Sequence, residues 1–138
     1  MKSYEIVEHT NEVGLKLAAP SLEELFLGGV QGMAELLKED SPNTPITKSP
    51  LLKIELKAPD STSLLIDFLG KILARSKTNH VIYTAISFTK LTETEVSALL
   101  TGVKVEEFEI DIKAVSYQEA DIIKDSRGVY QTMVMFDI

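Results

Sequence analysis

Only two stretches of this chain carry apolar residues at helical spacing, and each opens on residues able to cap a helix. After Ser21, the residues Leu22, Leu25, Phe26, Val30, Met33 and Leu37 recur at helical spacing, and Glu24 follows Ser21 by the three residues of a capping box. After Asp60 and Ser61, a second apolar face is formed by Leu64, Leu65, Phe68, Leu69, Ile72 and Leu73. Arg75 and Lys77 then fall where the helix dipole favours cations. Two helices with one apolar side each need a surface to bury it on, and the remaining apolar residues alternate as strands do. The expected fold is therefore α+β, two helices packed on a mostly antiparallel sheet. Gly28, Gly29 and Gly32 weaken the first helix by about 1 kcal/mol each relative to alanine. They mark either a close approach to the sheet or a fraying point.

The strand-like runs are short and regularly punctuated. Residues 3–7 alternate weakly; Val13, Leu15 and Leu17 alternate with Gly14 and Lys16 until Pro20-Ser21 ends the run. Residues 39–50 hold Pro42, Pro45 and Pro50 and read as a surface loop. Leu52, Ile54 and Leu56 form a half-buried strand. Residues 81–88 are expected as a strand, 90–94 as a polar turn with His80 in the turn before them, and 95–105 as a strand with a bulge at Gly102. An acidic connection at 106–111 leads to a strand at 112–123, a hairpin turn at 124–128 and a last strand at 129–138.

Composition narrows the class. A chain of 138 residues fits one domain with a core of its own. The absence of cysteine removes thiol nucleophiles, disulfides and thiolate metal sites. No signal-peptide h-region opens the chain, and no apolar run could cross a bilayer, so a cytoplasmic protein without a membrane partner is expected. Fourteen basic and twenty-one acidic residues give a formal net charge of −7. That balance opposes direct stable binding of nucleic acid, whose affinity rests on Lys and Arg displacing counterions. It suits metal cations or a basic protein surface.

Two places gather chemistry. In His9-Thr10-Asn11-Glu12-Val13-Gly14 an acid sits among small and polar residues between two extended runs, suited to presenting an oxygen ligand. At the other end the chain stays apolar through Met135 and Phe136, then offers the Asp137 carboxylate and the free α-carboxylate of Ile138. An apolar terminus of this kind implies a docked one.

These residues carry a resemblance. The His9 to Gly14 motif, Ser-Leu-Glu-Glu-Leu-Phe from Ser21, Lys113-Ala-Val-Ser-Tyr117 and the terminal Phe-Asp-Ile, in that order over the whole length, resemble the archease family. The resemblance implies one archease-like domain over residues 1–138, a strand-helix-strand-strand module with an inserted second unit. It also implies a metal-binding accessory protein that activates the GTP-dependent tRNA-splicing RNA ligase, promoting guanylylation of that ligase and its multiple turnover. The metal ligands it implies are Glu12, Asp137 and Ile138. All are hard oxygen donors, which select calcium first, with magnesium or manganese as alternatives. The family motif reads His-Thr-Ala-Asp-Val-Gly, so Glu12 here has one more methylene than the family's Asp, and Asn11 replaces Ala.

Lys113 is implied as a contact for an anionic group on the ligase or its nucleotide. Tyr117 is expected to pack in the sheet, followed by Gln118 where relatives often have His. Asp67 resembles a polar family position and is expected in solvent, His9 is expected to bond the backbone of its own segment, and Asn11 to be a surface residue. A local fold-back could bring Asp137 and the terminus onto one ion.

No Gly-x-Ser-x-Gly, phosphate-binding Gly-x-x-x-x-Gly-Lys or His-Glu-x-x-His motif is present, so no catalytic residue is marked. Two other classes stay open. One is a small divalent-metal-dependent phosphoester hydrolase, which would turn over its substrate alone. The other is a chaperone or scaffold with a structural metal.

Overall fold

The computed structural model describes residues 4–8, 10–37 and 51–138. The connection expected at 39–50 and His9 lie outside them. Within the described residues the order is β1 (Tyr4–Glu8), β2 (Glu12–Ala19), α1 (Leu22–Leu37), β3 (Leu52–Lys57), α2 (Ser61–Asn79), β4 (Val81–Leu91), β5 (Glu95–Lys104), β6 (Ala114–Ser116), β7 (Ile123–Lys124) and β8 (Tyr130–Asp137).

All the strand pairs are antiparallel, and they form two sheets rather than one. The first runs β1-β2-β8-β6, with β7 also paired to β8; the second runs β3-β5-β4. Both helices touch both sheets: α1 packs on β2 and β4, and α2 on β3, β4, β5 and β6. The α+β class with two helices on antiparallel strands is what the chain forms, and the second sheet covers the far side of the helices.

Local chemistry sets the helix ends. The Glu24 N–H donates to Ser21 Oγ at 3.2 Å, and the Ser63 N–H to Asp60 Oδ1 at 2.7 Å. His80 closes α2 in a left-handed conformation (φ 53°), its N–H donating to the Ser76 carbonyl. Gly29 and Gly32 of α1 resolve in favour of close approach. A Cβ on Gly29 would meet Leu69 of α2 at 3.2 Å, and one on Gly32 would lie 2.6 Å from Leu15 Cδ2 of β2. Phe26, Phe68 and Phe88, from α1, α2 and β4, have ring centroids 5.8 to 6.5 Å apart and tie the layers together.

One buried group stands outside this economy. Ser76 is fully buried and its hydroxyl has no hydrogen-bond partner. Such a hydroxyl costs about 1 to 3 kcal/mol. Ser76→Ala is therefore expected to stabilise the fold by about 1 kcal/mol, raising Tm by roughly 3 °C in a thermal melt.

Three boundaries differ from the sequence reading. β4 runs on to Leu91, because Lys90 still pairs with Ser97 across β5 and its ammonium reaches Glu95. The turn shrinks to the segment where Thr92 Oγ1 accepts the N–H groups of Thr94 and Glu95. The bulge belongs to β4, whose register shifts between Tyr83 and Ala85 opposite Gly102.

The third difference is larger: the single strand expected at 112–123 is broken. After Ser116 the chain leaves the sheet, passes through Glu119 at φ 65° and returns at Ile123. Side-chain hydroxyls hold the excursion, with Thr62 Oγ1 accepting the Ile122 N–H at 2.9 Å and Thr132 Oγ1 the Asp121 N–H at 3.1 Å.

The hairpin into β8 is pinned by Asp125. Its carboxylate accepts the N–H groups of Arg127 and Val129, the Arg127 guanidinium and the Gln131 amide. The Val129 bond above all, with Arg127, holds this carboxyl below the usual range. With the turn fixed, the register of β8 is fixed along its length.

Candidate metal site at the end of the central strands

β2 begins at Glu12, β8 ends at Asp137, and the register sets the two directly opposite each other. Opposed residues of an antiparallel pair project to the same face with Cβ atoms about 5 Å apart. Alternation decides which face. Val13, Leu15 and Leu17 of β2, with Val134 and Phe136 of β8, are buried on the helix side. Glu12 and Asp137 therefore project from the outer face, and both are half-buried. On the other flank of Asp137 stands Ala114 of β6.

The last residue is held beside them. The Ile138 N–H donates to the Asn11 carbonyl at 3.2 Å, and the Lys113 N–H to the Asp137 carbonyl at 2.7 Å. The Ile138 side chain packs partly against the core. Asp137 and Ile138 thus arrive by straight strand pairing, not by a local fold-back, because β8 keeps its register with β2 through Asp137. Asn11, although exposed, contributes through its backbone carbonyl. Lys113 is exposed at the same sheet end. It lies one residue before β6, tied to the last strand by its own N–H.

Among the described residues, no three His, Cys, Asp or Glu side chains gather where they could hold an ion. What the strands do bring together is two opposed carboxylates, with Ile138 one residue on. This donor set fits a hard cation in kind. Six to eight oxygens are needed, so water or a partner's oxygens must fill the remainder.

A second polar contact lies on the helix side. The Tyr117 hydroxyl donates to Asp67 Oδ1 of α2 in a short hydrogen bond, which raises the phenol's pKa above its ordinary value. Tyr117 is 58 % exposed, and it stands where the chain has just left the sheet. Tyr117 is accordingly not packed within the sheet, and Asp67 is half-buried and bonded rather than free in solvent. Fifty residues separate the two, so no local pattern announces the pair. Along β8, Met135 stands opposite Gly14 of β2 and Met133 opposite Lys16.

Among the described residues no helix is long and apolar enough to cross a membrane. The model of the archease protein family (MTH1598/TM1083) matches residues 4–138. Protein archease of Methanosarcina mazei is 28% identical over 145 residues, covering 99% of this chain and 97% of that protein. Protein archease of Thermoplasma acidophilum is 27% identical over 139 residues, covering 99% and 94%. The solution structure of Methanobacterium thermoautotrophicum protein 1598 superposes with a TM-score of 0.75 at 21% identity, covering 100% of both chains. The crystal structure of the Thermotoga maritima protein TM1083, described as an archease and possible chaperone, gives a TM-score of 0.67 at 16% identity, covering 96% of this chain and 94% of that one. With the match running from the first described strand to the final residue, this chain belongs to the archease family.

Proposed function

We propose that this protein is an accessory factor, not an enzyme in its own right. On this reading it binds a divalent cation and activates the GTP-dependent tRNA-splicing RNA ligase in the cytoplasm, promoting guanylylation of the ligase and its multiple turnover. The observation that carries the reading is the register of β2 against β8, which opposes Glu12 and Asp137 on one face beside the anchored end of the chain. Glu12, Asp137 and the Ile138 carboxylate hold the ion, with calcium preferred over magnesium or manganese. When bound, the cation supplies positive charge against nucleotide phosphates. Lys113, exposed at the same sheet end, orients an anionic group of the ligase or its nucleotide. The net charge of −7 leaves the RNA to the ligase.

The test is multiple-turnover RNA joining by the cognate ligase with and without this protein. Wild type is expected to raise the number of turnovers, with Asp137→Ala and Lys113→Ala each losing most of that stimulation. Absence of stimulation by wild type overturns the proposal. The description of the Thermotoga maritima protein as a possible chaperone favours one rival, a scaffold with a structural ion. It predicts ligase binding and stimulation that survive loss of both Glu12 and Asp137.

A further inference from the structure

Among the described residues, none between Ile112 and Thr132 is fully buried. Val115, Ala120 and Ile122 pack only partly against the core. This stretch carries both Lys113 and β6, so little apolar area seats either of them. β6 has three residues and ends its sheet, paired among the described residues with β8 alone. A short edge strand with no buried side chain opens at low cost.

Polar ties stand where packing is thin. Directly after β6, where the chain leaves the sheet, the Tyr117 hydroxyl donates to Asp67 Oδ1 of α2. The acceptor is firmly placed, because Ile66, Phe68 and Leu69 beside it are at most 2 % exposed. The donor is not: Tyr117 is 58 % exposed, so its ring gains little from burial and its hydroxyl is what fastens it. A carboxylate acceptor makes this bond stronger than one between neutral groups. The same attraction, Asp67 first among its causes, raises the phenol's pKa. Thr62, earlier on α2, accepts the Ile122 N–H at 2.9 Å, so one helix holds the excursion on both sides.

We infer that Tyr117 and Asp67 are positioning residues for Lys113: their hydrogen bond clamps the exit of β6 to α2 and so keeps the lysine seated at the sheet end that carries Glu12 and Asp137. This rests on the role proposed for Lys113 and adds the groups that hold it in place. The two halves of the site are secured separately. Glu12 and Asp137 are opposed by the ladder of β2 with β8, which involves neither β6 nor α2. Lys113 depends on β6, whose pairing with β8 begins with the Lys113 N–H on the Asp137 carbonyl at 2.7 Å and ends at Ser116, one residue before the clamp. Loss of the phenol hydroxyl therefore loosens the lysine and leaves the acid pair as it is.

Amide hydrogen exchange, calcium calorimetry and stimulation of RNA joining by the cognate ligase test this on Tyr117→Phe, Asp67→Ala, Asp67→Asn and Ile72→Val. Asparagine keeps an oxygen that accepts the phenol's proton. Ile72→Val lowers stability through the buried side of the same helix and leaves the clamp intact. In Tyr117→Phe and Asp67→Ala the Lys113 amide is expected to exchange about tenfold faster while the Ile138 amide is unchanged. Calcium affinity stays within about twofold of wild type and stimulation falls about fivefold. Asp67→Asn retains most of the stimulation and Ile72→Val all of it. In a Lys113→Ala background, Tyr117→Phe brings no further loss. Unchanged exchange at Lys113 in both Tyr117→Phe and Asp67→Ala overturns the inference whatever the ligase does. Wild-type stimulation by both variants, or a loss that Ile72→Val shares, overturns it as well and leaves the activator reading in place. Wild type without stimulation removes the proposed function, and exchange at Lys113 then decides the clamp by itself.

Discussion

Gly102→Ala is expected to cost at least about 3 kcal/mol and to lower Tm by roughly 10 °C. Gly102 stands opposite Tyr83, where β4 shifts register. A Cβ there would lie 2.7 Å from both the Ile82 carbonyl carbon and Tyr83 Cα, and closer still to the Ile82 oxygen. All three are backbone atoms, so no rotamer change can relieve the overlap and the β4–β5 ladder itself must give way. Chemical denaturation checks this as a fall in the midpoint with the slope preserved.

Two other glycines calibrate the result. At Gly32 the three atoms nearest the new methyl all belong to the side chain of Leu15, which is fully buried. A gain in helix propensity offsets part of that clash, and a net loss of about 1 to 2 kcal/mol is expected for Gly32→Ala. Gly70 of α2 has nothing within 4 Å of the corresponding point, and alanine there is expected to stabilise by up to about 1 kcal/mol. One substitution, made three times, should thus change sign according to what stands next to it.

The second large effect concerns cation binding. Asp137→Ala is expected to weaken calcium binding at least tenfold by calorimetry, equivalent to about 1.4 kcal/mol. It removes one of two carboxylates set directly opposite each other. The same geometry predicts an opposite effect on the free protein. Like charges facing one another across two strands destabilise the pair. Glu12→Gln should therefore stabilise the ion-free fold by a few tenths of a kcal/mol while weakening the ion's hold. A merely solvated pair would give the first result without the second. Glu12→Asp, which restores the family's usual residue, removes one methylene of reach and should leave binding closer to wild type than Glu12→Gln does. If Asp137→Ala binds calcium as wild type does, the metal assignment falls while the fold is untouched.

Much of the architecture is legible because it is written locally. Ser21 with Glu24 and Asp60 with Ser63 start the helices through contacts three residues long. The alternation of Leu52, Ile54 and Leu56 survives unchanged as β3. Division of the strands between two sheets is a different kind of fact. Alternation states that a strand has two faces and is silent on which strand lies beside it, so β2 and β8 could be paired only from coordinates.

The break in the strand expected at 112–123 has a similar origin. Val115 and Ile122, seven residues apart, fall out of phase for a single strand, and Thr62 and Thr132 capture the amides of Ile122 and Asp121 from elsewhere in the fold. The same departure carries Tyr117 across to Asp67. At the candidate site the motif and the chemistry of their oxygens single out the residues. Their meeting at one sheet end depends on a register that no sequence window contains.

The strand order β1-β2-β8-β6 places the final strand in the interior of its sheet, between one of the earliest segments of the chain and two of the latest. The second sheet and α2 come from one contiguous stretch and can assemble as a unit. β2 must wait for a partner that lies almost the whole chain away, and closing so long a loop is slow relative to local pairing. Glu12 and Asp137 therefore stand opposed only once that long closure has been made, a juxtaposition that no shorter segment of the chain can form.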